Sequence, residues 1–184
     1  MMGRVPALRP ALQVVGLWAL TAAVAFDVTG FARNEVDTLP SARQWAQPSW
    51  LPHDWYLGLD IGYRVPFNAL AGTLVETGGF VLAAVVVRLL GMGLFAVATW
   101  LAGRALGVRY GWLLLATAVF LWRQDVAAGE WVVGGAESKA LAWPLALLAV
   151  AALLHRRVGV AALAAGLAAS FHVLVGLSVT GALL

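Results

Sequence analysis

The residues best suited to chemistry lie in two short polar stretches and at two isolated positions of a strongly apolar chain. The first stretch reads Asn34-Glu35-Val36-Asp37 and, further on, Pro52-His53-Asp54-Trp55-Tyr56. A carboxylate pinned between proline and aromatic rings, as Asp54 is, can act as a general base or hold a metal ion that a phosphate needs. Glu35 and Asp37 are alternative bases of the same kind, and His53 adds a second titratable group beside Asp54. The plainer reading makes these acids solvated loop residues. It also makes Trp45, Trp50, Trp55 and Tyr63 an aromatic belt at a membrane surface.

The second stretch runs from Gly129 through Glu130, Gly134, Gly135, Glu137 and Ser138 to Lys139, and then into an apolar run. Two glycines ahead of a helix let a ligand approach the backbone, and the free amides of the first turn favour an anion. Lys139 adds a mobile positive charge, so a lipid phosphate or pyrophosphate suits this position. Equally, Glu137 can offset the helix dipole while Lys139 reaches out to water. The isolated positions are Arg88 and His172. Arg88 is either a ligand for such a phosphate or an arginine snorkelling to the surface. His172 faces the polar stretches if its helix breaks at 170–172, and otherwise needs a partner on a neighbouring helix.

These groups must be positioned by membrane helices. Of 184 residues, 62% are hydrophobic and 11% charged, whereas soluble domains carry roughly 45–50% and about 25%. Disorder is excluded on the same grounds, and a net charge of only +3 excludes a nucleic-acid partner. The absence of cysteine excludes disulfides, thiolate metal sites and cysteine nucleophiles. No cofactor is assigned, and a divalent metal is left open. The expected fold is all-α, a single polytopic bundle over 1–184 with five to six membrane helices. Spans are placed at about 10–26, 82–101, 106–122, 140–154 and 158–184, the last broken near 170–172. A signal-peptidase site at Ala23-Val24-Ala25 is the lesser reading of the first span, because further spans follow.

Charge orients the bundle. Arg4/Arg9, Arg104/Arg109 and Arg156/Arg157 fall on one side of these spans with no acid, and all nine acids fall on the other. By the positive-inside rule the basic turns and the N-terminus are cytoplasmic. The external face then holds a long first loop, 27–79, and a second, 123–139. Four of the seven prolines make the front of the first loop turn-rich. Residues 67–75 read as a helix lying at the interface or running into the second span. The apolar run ends at Leu184 with no polar flank, which reads as the N-terminal piece of a longer protein.

The order of elements resembles the lipid-dependent glycosyltransferases of the C superfamily. Asn34-Glu35-Val36-Asp37 together with Pro52-His53-Asp54-Trp55-Tyr56-Leu57, then Gly129-Glu130-Trp131 together with Gly135-Ala136-Glu137-Ser138-Lys139, and lastly Ser170-Phe171-His172-Val173-Leu174-Val175-Gly176 look like three blocks of bacterial membrane proteins grouped near it. The resemblance implies an essential acid in the first external loop, matched by Asp54 or by Glu35 and Asp37. It also implies a polyprenyl-phosphate-linked sugar donor and a place in the bacterial inner membrane. On that footing Asp54 deprotonates the acceptor, with Asp37 and Glu35 as alternatives. Lys139, Gly134, Gly135, Glu137, His172, Arg88 and His53 line the substrate site. The competing expectation is a transporter or envelope assembly component, with the external acids shaping a solute entrance.

Overall fold

The computed structural model describes residues 8–26, 30–31, 34–59, 64–128 and 130–183. Tyr63 and Gly129, and the charges at Arg4, Asp27 and Asp60, lie outside the described residues, as does Leu184. The described residues are all-α and form eight helices: α1 (Leu8–Ala25), α2 (Glu35–Ala46), α3 (Val65–Ala105), α4 (Tyr110–Trp122), α5 (Gln124–Ala128), α6 (Ser138–Leu154), α7 (Val158–Phe171) and α8 (Val173–Leu183). Among them, α3 alone is long and apolar enough to cross a membrane by length and composition. The others are apolar but shorter, or polar like α2.

Helix α3 is two helices in sequence. Gly79 breaks it with φ 79° and ψ 175°, a backbone region that side chains with a Cβ avoid. The first part packs on α2. Leu39 and Ala42 of α2 meet Phe67, Ala71 and Val75 of α3 in one buried cluster, continued by Ala83, Val87 and Leu141. Helix α2 was not expected, since Pro40 falls inside it and prolines suggest turns. It forms because Glu35, Thr38, Leu39 and Ala42 are buried, the i, i+3, i+4, i+7 spacing of one helix face turned to the core. Its acids Glu35 and Asp37 also sit in the first turn, where the helix dipole favours them.

The second part of α3 packs on α6 at close range. Pro144 within α6 leaves the Ala140 carbonyl without its helical donor. That oxygen lies against Gly91, where a Cβ would come within 3.0 Å of it. Helix α1 is tied to the same bundle by Trp100 Nε1, which donates to Gln13 Oε1 at 3.0 Å, and by Tyr110 Oη, which donates to the Gln13 carbonyl at 2.9 Å. His155 Nε2 lies 3.2 Å from the Leu101 carbonyl, so the arginine-bearing turns after α3 and α6 share one end of the bundle. At the opposite end α7 stops at His172, whose φ of −149° and ψ of 105° are extended. Helix α8 then folds back, with Gly176 against the backbone of Ala169.

Candidate functional site

Two buried side chains sew the end opposite the arginine turns together. Glu35, 1% exposed, and Arg88, 4% exposed, form an ion pair. Arg88 Nε donates to Glu35 Oε1 at 2.7 Å, and Nη2 donates both to Glu35 Oε2 and, at 2.7 Å, to the Gly30 carbonyl. Glu35 Oε1 also accepts the Ala136 amide at 2.6 Å. Gln124 does the same work from the other side. Its Oε1 accepts the Val132 and Val133 amides, both at 2.9 Å, and its Nε2 donates to the Val133 carbonyl at 3.2 Å. Segment 132–138 is therefore a buried, hydrogen-bonded loop, turned at Gly134 by a φ of 111°.

The start of α2 and the start of α6 meet across this loop. Thr38 Oγ1 donates to the Ala136 carbonyl at 3.1 Å. The Asn34 amide donates to Glu137 Oε1 at 3.3 Å and its Nδ2 to Oε2 at 3.2 Å. Lys139, in the first polar turn of α6 and ahead of its apolar run, bridges two acids. Its Nζ lies 2.9 Å from Glu130 Oε2 and 3.5 Å from Glu137 Oε2. Burial works against the ammonium, but the hydrogen bond it donates to Glu130 and the charges of Glu137 and Glu130 outweigh it. The Lys139 pKa is therefore raised above the ordinary lysine value, and the group stays charged at neutral pH.

These contacts surround a cleft of about 530 Å³, whose walls include Asp37, Arg64, Glu130, Glu137, Lys139 and His172. Tyr56 and Trp143 add aromatic faces, and Ser138 and Ser178 add hydroxyls. His172 enters from the α7–α8 break. Its Nδ1 accepts the Val175 amide at 3.4 Å and so caps the first turn of α8. That bond puts the proton of a neutral ring on Nε2.

Four of the residues singled out from the sequence thus come together: Asp37, Glu137, Lys139 and His172. The others stand elsewhere. Asp54 does not line the cleft; its Oδ1 accepts the Tyr56 and Leu57 amides at 3.0 and 2.9 Å, closing an exposed turn. His53 is exposed on the same turn. Glu35 is spent in the core with Arg88, and Arg88 is buried and does not snorkel. Gly134 and Gly135 are buried behind the wall and shape the loop. Arg64, Asn34, Glu130 and Trp143 are cleft residues that reasoning from sequence did not single out. Asn34 and Glu130 stand inside motifs already noted, whereas nothing in the sequence marks Arg64 or Trp143. Among the described residues no three His, Cys, Asp or Glu groups come close enough to hold a metal ion. Comparison with protein-family models, curated proteins and solved structures gives no match to this chain.

Proposed function

We propose that this chain is a polytopic protein of the bacterial inner membrane whose external cleft transfers a sugar from a polyprenyl-phosphate-linked donor. The membrane reading is supported by the outer faces of the short helices. Leu12 on α1, Trp112 and Trp122 on α4, Leu163 on α7 and Leu174 and Leu177 on α8 are all more than half exposed, and in water they would form an apolar surface that soluble monomers avoid. Acyl chains cover them. In this reading α1, the second part of α3, α4, α6 and the α7–α8 pair are the membrane elements, and the N-terminus is cytoplasmic.

The observation that carries the enzymatic reading is the convergence of Asp37, Glu137, Lys139 and His172, from three distant parts of the sequence, on one cleft. Carboxylates, an ammonium, an imidazole and hydroxyls offer both acceptors and donors to the hydroxyls of a sugar, with Tyr56 and Trp143 as apolar faces for its ring. Asp37 is exposed at the start of α2 and accessible to an acceptor hydroxyl, which makes it the base of this proposal. Arg64, Lys139 and His172 are the groups that stabilise charge on the departing phosphate, where catalysis of such a transfer gains most. The resemblance to C-superfamily glycosyltransferases points the same way.

The test is transfer by the full-length protein in vesicles, using polyprenyl-phosphate donors carrying a panel of radiolabelled sugars. Asp37→Asn is expected to lower transfer by about 100-fold or more, the range of a lost general base, with donor binding retained. Asp54→Asn is expected to leave transfer within about twofold, because its oxygen continues to close the turn. No transfer with any donor, together with donor-independent solute flux, would establish the transporter reading instead.

A further inference from the structure

A second polar cavity, of about 340 Å³, lies further along α2 than the cleft. On α2, Asp37 and Thr38 line the cleft, whereas Ser41, Gln44 and Trp45 line the cavity. At the start of α3, Arg64 belongs to the cleft and Asn68, one turn on, to the cavity. Leu57 and Leu59 close the cavity from the loop between the two helices. Among the described residues no charged side chain lines it, but two buried amides do. Gln44, 7% exposed, spends its amide on the 48–51 turn: Nε2 donates to the Pro48 carbonyl at 2.8 Å, and Oε1 accepts the Leu51 amide at 3.1 Å. Asn68, 3% exposed, is different. Its side-chain amide has no hydrogen-bond partner among the described residues, and yet neither Oδ1 nor Nδ2 is sealed off within the protein. The little surface that Asn68 keeps therefore includes both polar atoms, and the cavity is the space that they meet.

We propose that this cavity binds a neutral saccharide ring, with the Asn68 amide pairing two adjacent hydroxyls and the Trp45 indole covering one face of the ring. A buried polar side chain without a partner is the exception in folded proteins, and this one meets a space of ligand size. Three features choose the class. Walls without charge favour a neutral ligand over a phosphate or a carboxylate, whose charge would go unpaired there. An amide sets an acceptor beside a donor, the match for hydroxyls on neighbouring carbons, each of which donates and accepts. Trp45 is 45% exposed and lines the same cavity, and an indole offers a flat apolar face with a polar edge, which suits the C–H face of a pyranose. Among the described residues, cleft and cavity share no wall residue, so binding here depends on none of the groups assigned to sugar transfer.

The test is calorimetric titration of methyl glycosides of glucose, galactose, mannose and N-acetylglucosamine into the full chain, held in a detergent without a sugar head group. At least one glycoside is expected to bind saturably. Asn68→Leu is expected to weaken that binding about tenfold or more, the effect of two neutral hydrogen bonds. The same variant should raise the thermal midpoint of the free chain, because it removes an unpaired buried amide. Trp45→Ala is expected to weaken binding to a similar extent, and Trp45→Phe to restore most of it. Asp37→Asn, in the cleft, is expected to leave binding unchanged. No glycoside bound by the unaltered chain overturns the proposal, since the cavity then holds water alone. Binding that survives both Asn68→Leu and Trp45→Ala overturns it as well, by placing the sugar elsewhere. Should Asn68→Leu fail to fold, Trp45→Ala at the exposed edge decides. A glycoside that binds as expected to a protein without transferase activity would refute the enzymatic reading and leave this one standing.

Discussion

At the scale of single residues, the Glu35–Arg88 pair is the most consequential contact in the molecule. Both groups are within 4% of full burial, and every polar atom of the carboxylate that the geometry describes meets a donor from Arg88 or Ala136. Removing one partner strands the other's charge in an apolar interior, whereas removing both does not. Arg88→Met is therefore expected to destabilise the fold by about 3–5 kcal/mol. The double variant Glu35→Leu/Arg88→Met should recover a large part of that loss. Reversible unfolding in a micelle, followed by helical circular dichroism, measures both. Additive losses in the double variant would show that the two side chains do not act as a pair. An acid spaced for catalysis and an acid spaced for a buried pair look alike in a sequence. Glu35 and Asp37 are two residues apart, on different faces of α2, and only the helix decides which of them enters the core and which faces the cleft.

At the scale of elements, Gly79 determines where the α2-packed part of α3 ends and the part packed on α6 begins. Gly79→Ala is expected to cost about 1–3 kcal/mol, because a Cβ disfavours the positive φ with extended ψ that the break requires. A lowered thermal midpoint with unchanged helix content checks this, and an unchanged midpoint would mean that the break is not needed. The helices themselves were legible. Each of the apolar runs at 10–26, 82–101, 106–122, 140–154 and 158–184 contains helix within the described residues, although 106–109 is a turn and α4 begins only at Tyr110, and the expected break at 170–172 falls at His172. The helix expected at 67–75 runs on into the next apolar run, bent at Gly79. Helix α2 was hidden because Pro40 and the polar residues around it mimic a turn, and only its packing on α3 shows the apolar face. The site was legible in part. Lys139 stood out as a charge at the start of an apolar run and His172 as the interruption of another, while Asp54 drew attention by its neighbours and proves to use its carboxylate to close its own turn. Arg64 and Trp143 matter only through where the fold brings them, which no local pattern encodes.

At the scale of the whole molecule, the arginine turns and the cleft occupy opposite ends, and a membrane between them gives a direct test. The chain contains no cysteine, so single cysteines report without background. Ser49→Cys, in the exposed turn after α2, is expected to react with an impermeant thiol reagent in intact cells. Val108→Cys, in the exposed turn after α3, is expected to react only after lysis. The reverse pattern would place the cleft on the cytoplasmic side. Under the proposed membrane placement, the buried pair also implies an order of events while the chain is being made. An isolated arginine at the centre of a helix costs about 2.5–3.5 kcal/mol to insert into a bilayer, and α3 carries Arg88 within its apolar part. Glu35 precedes Arg88 by 53 residues in the chain, so on the proposed placement, with α1 as the first span, it would be at the membrane before Arg88 arrives. The two charges can then enter as a neutral couple. A Glu35 variant should for that reason fail first at the translocon, as a helix left outside the bilayer, before any defect in the finished protein can be measured.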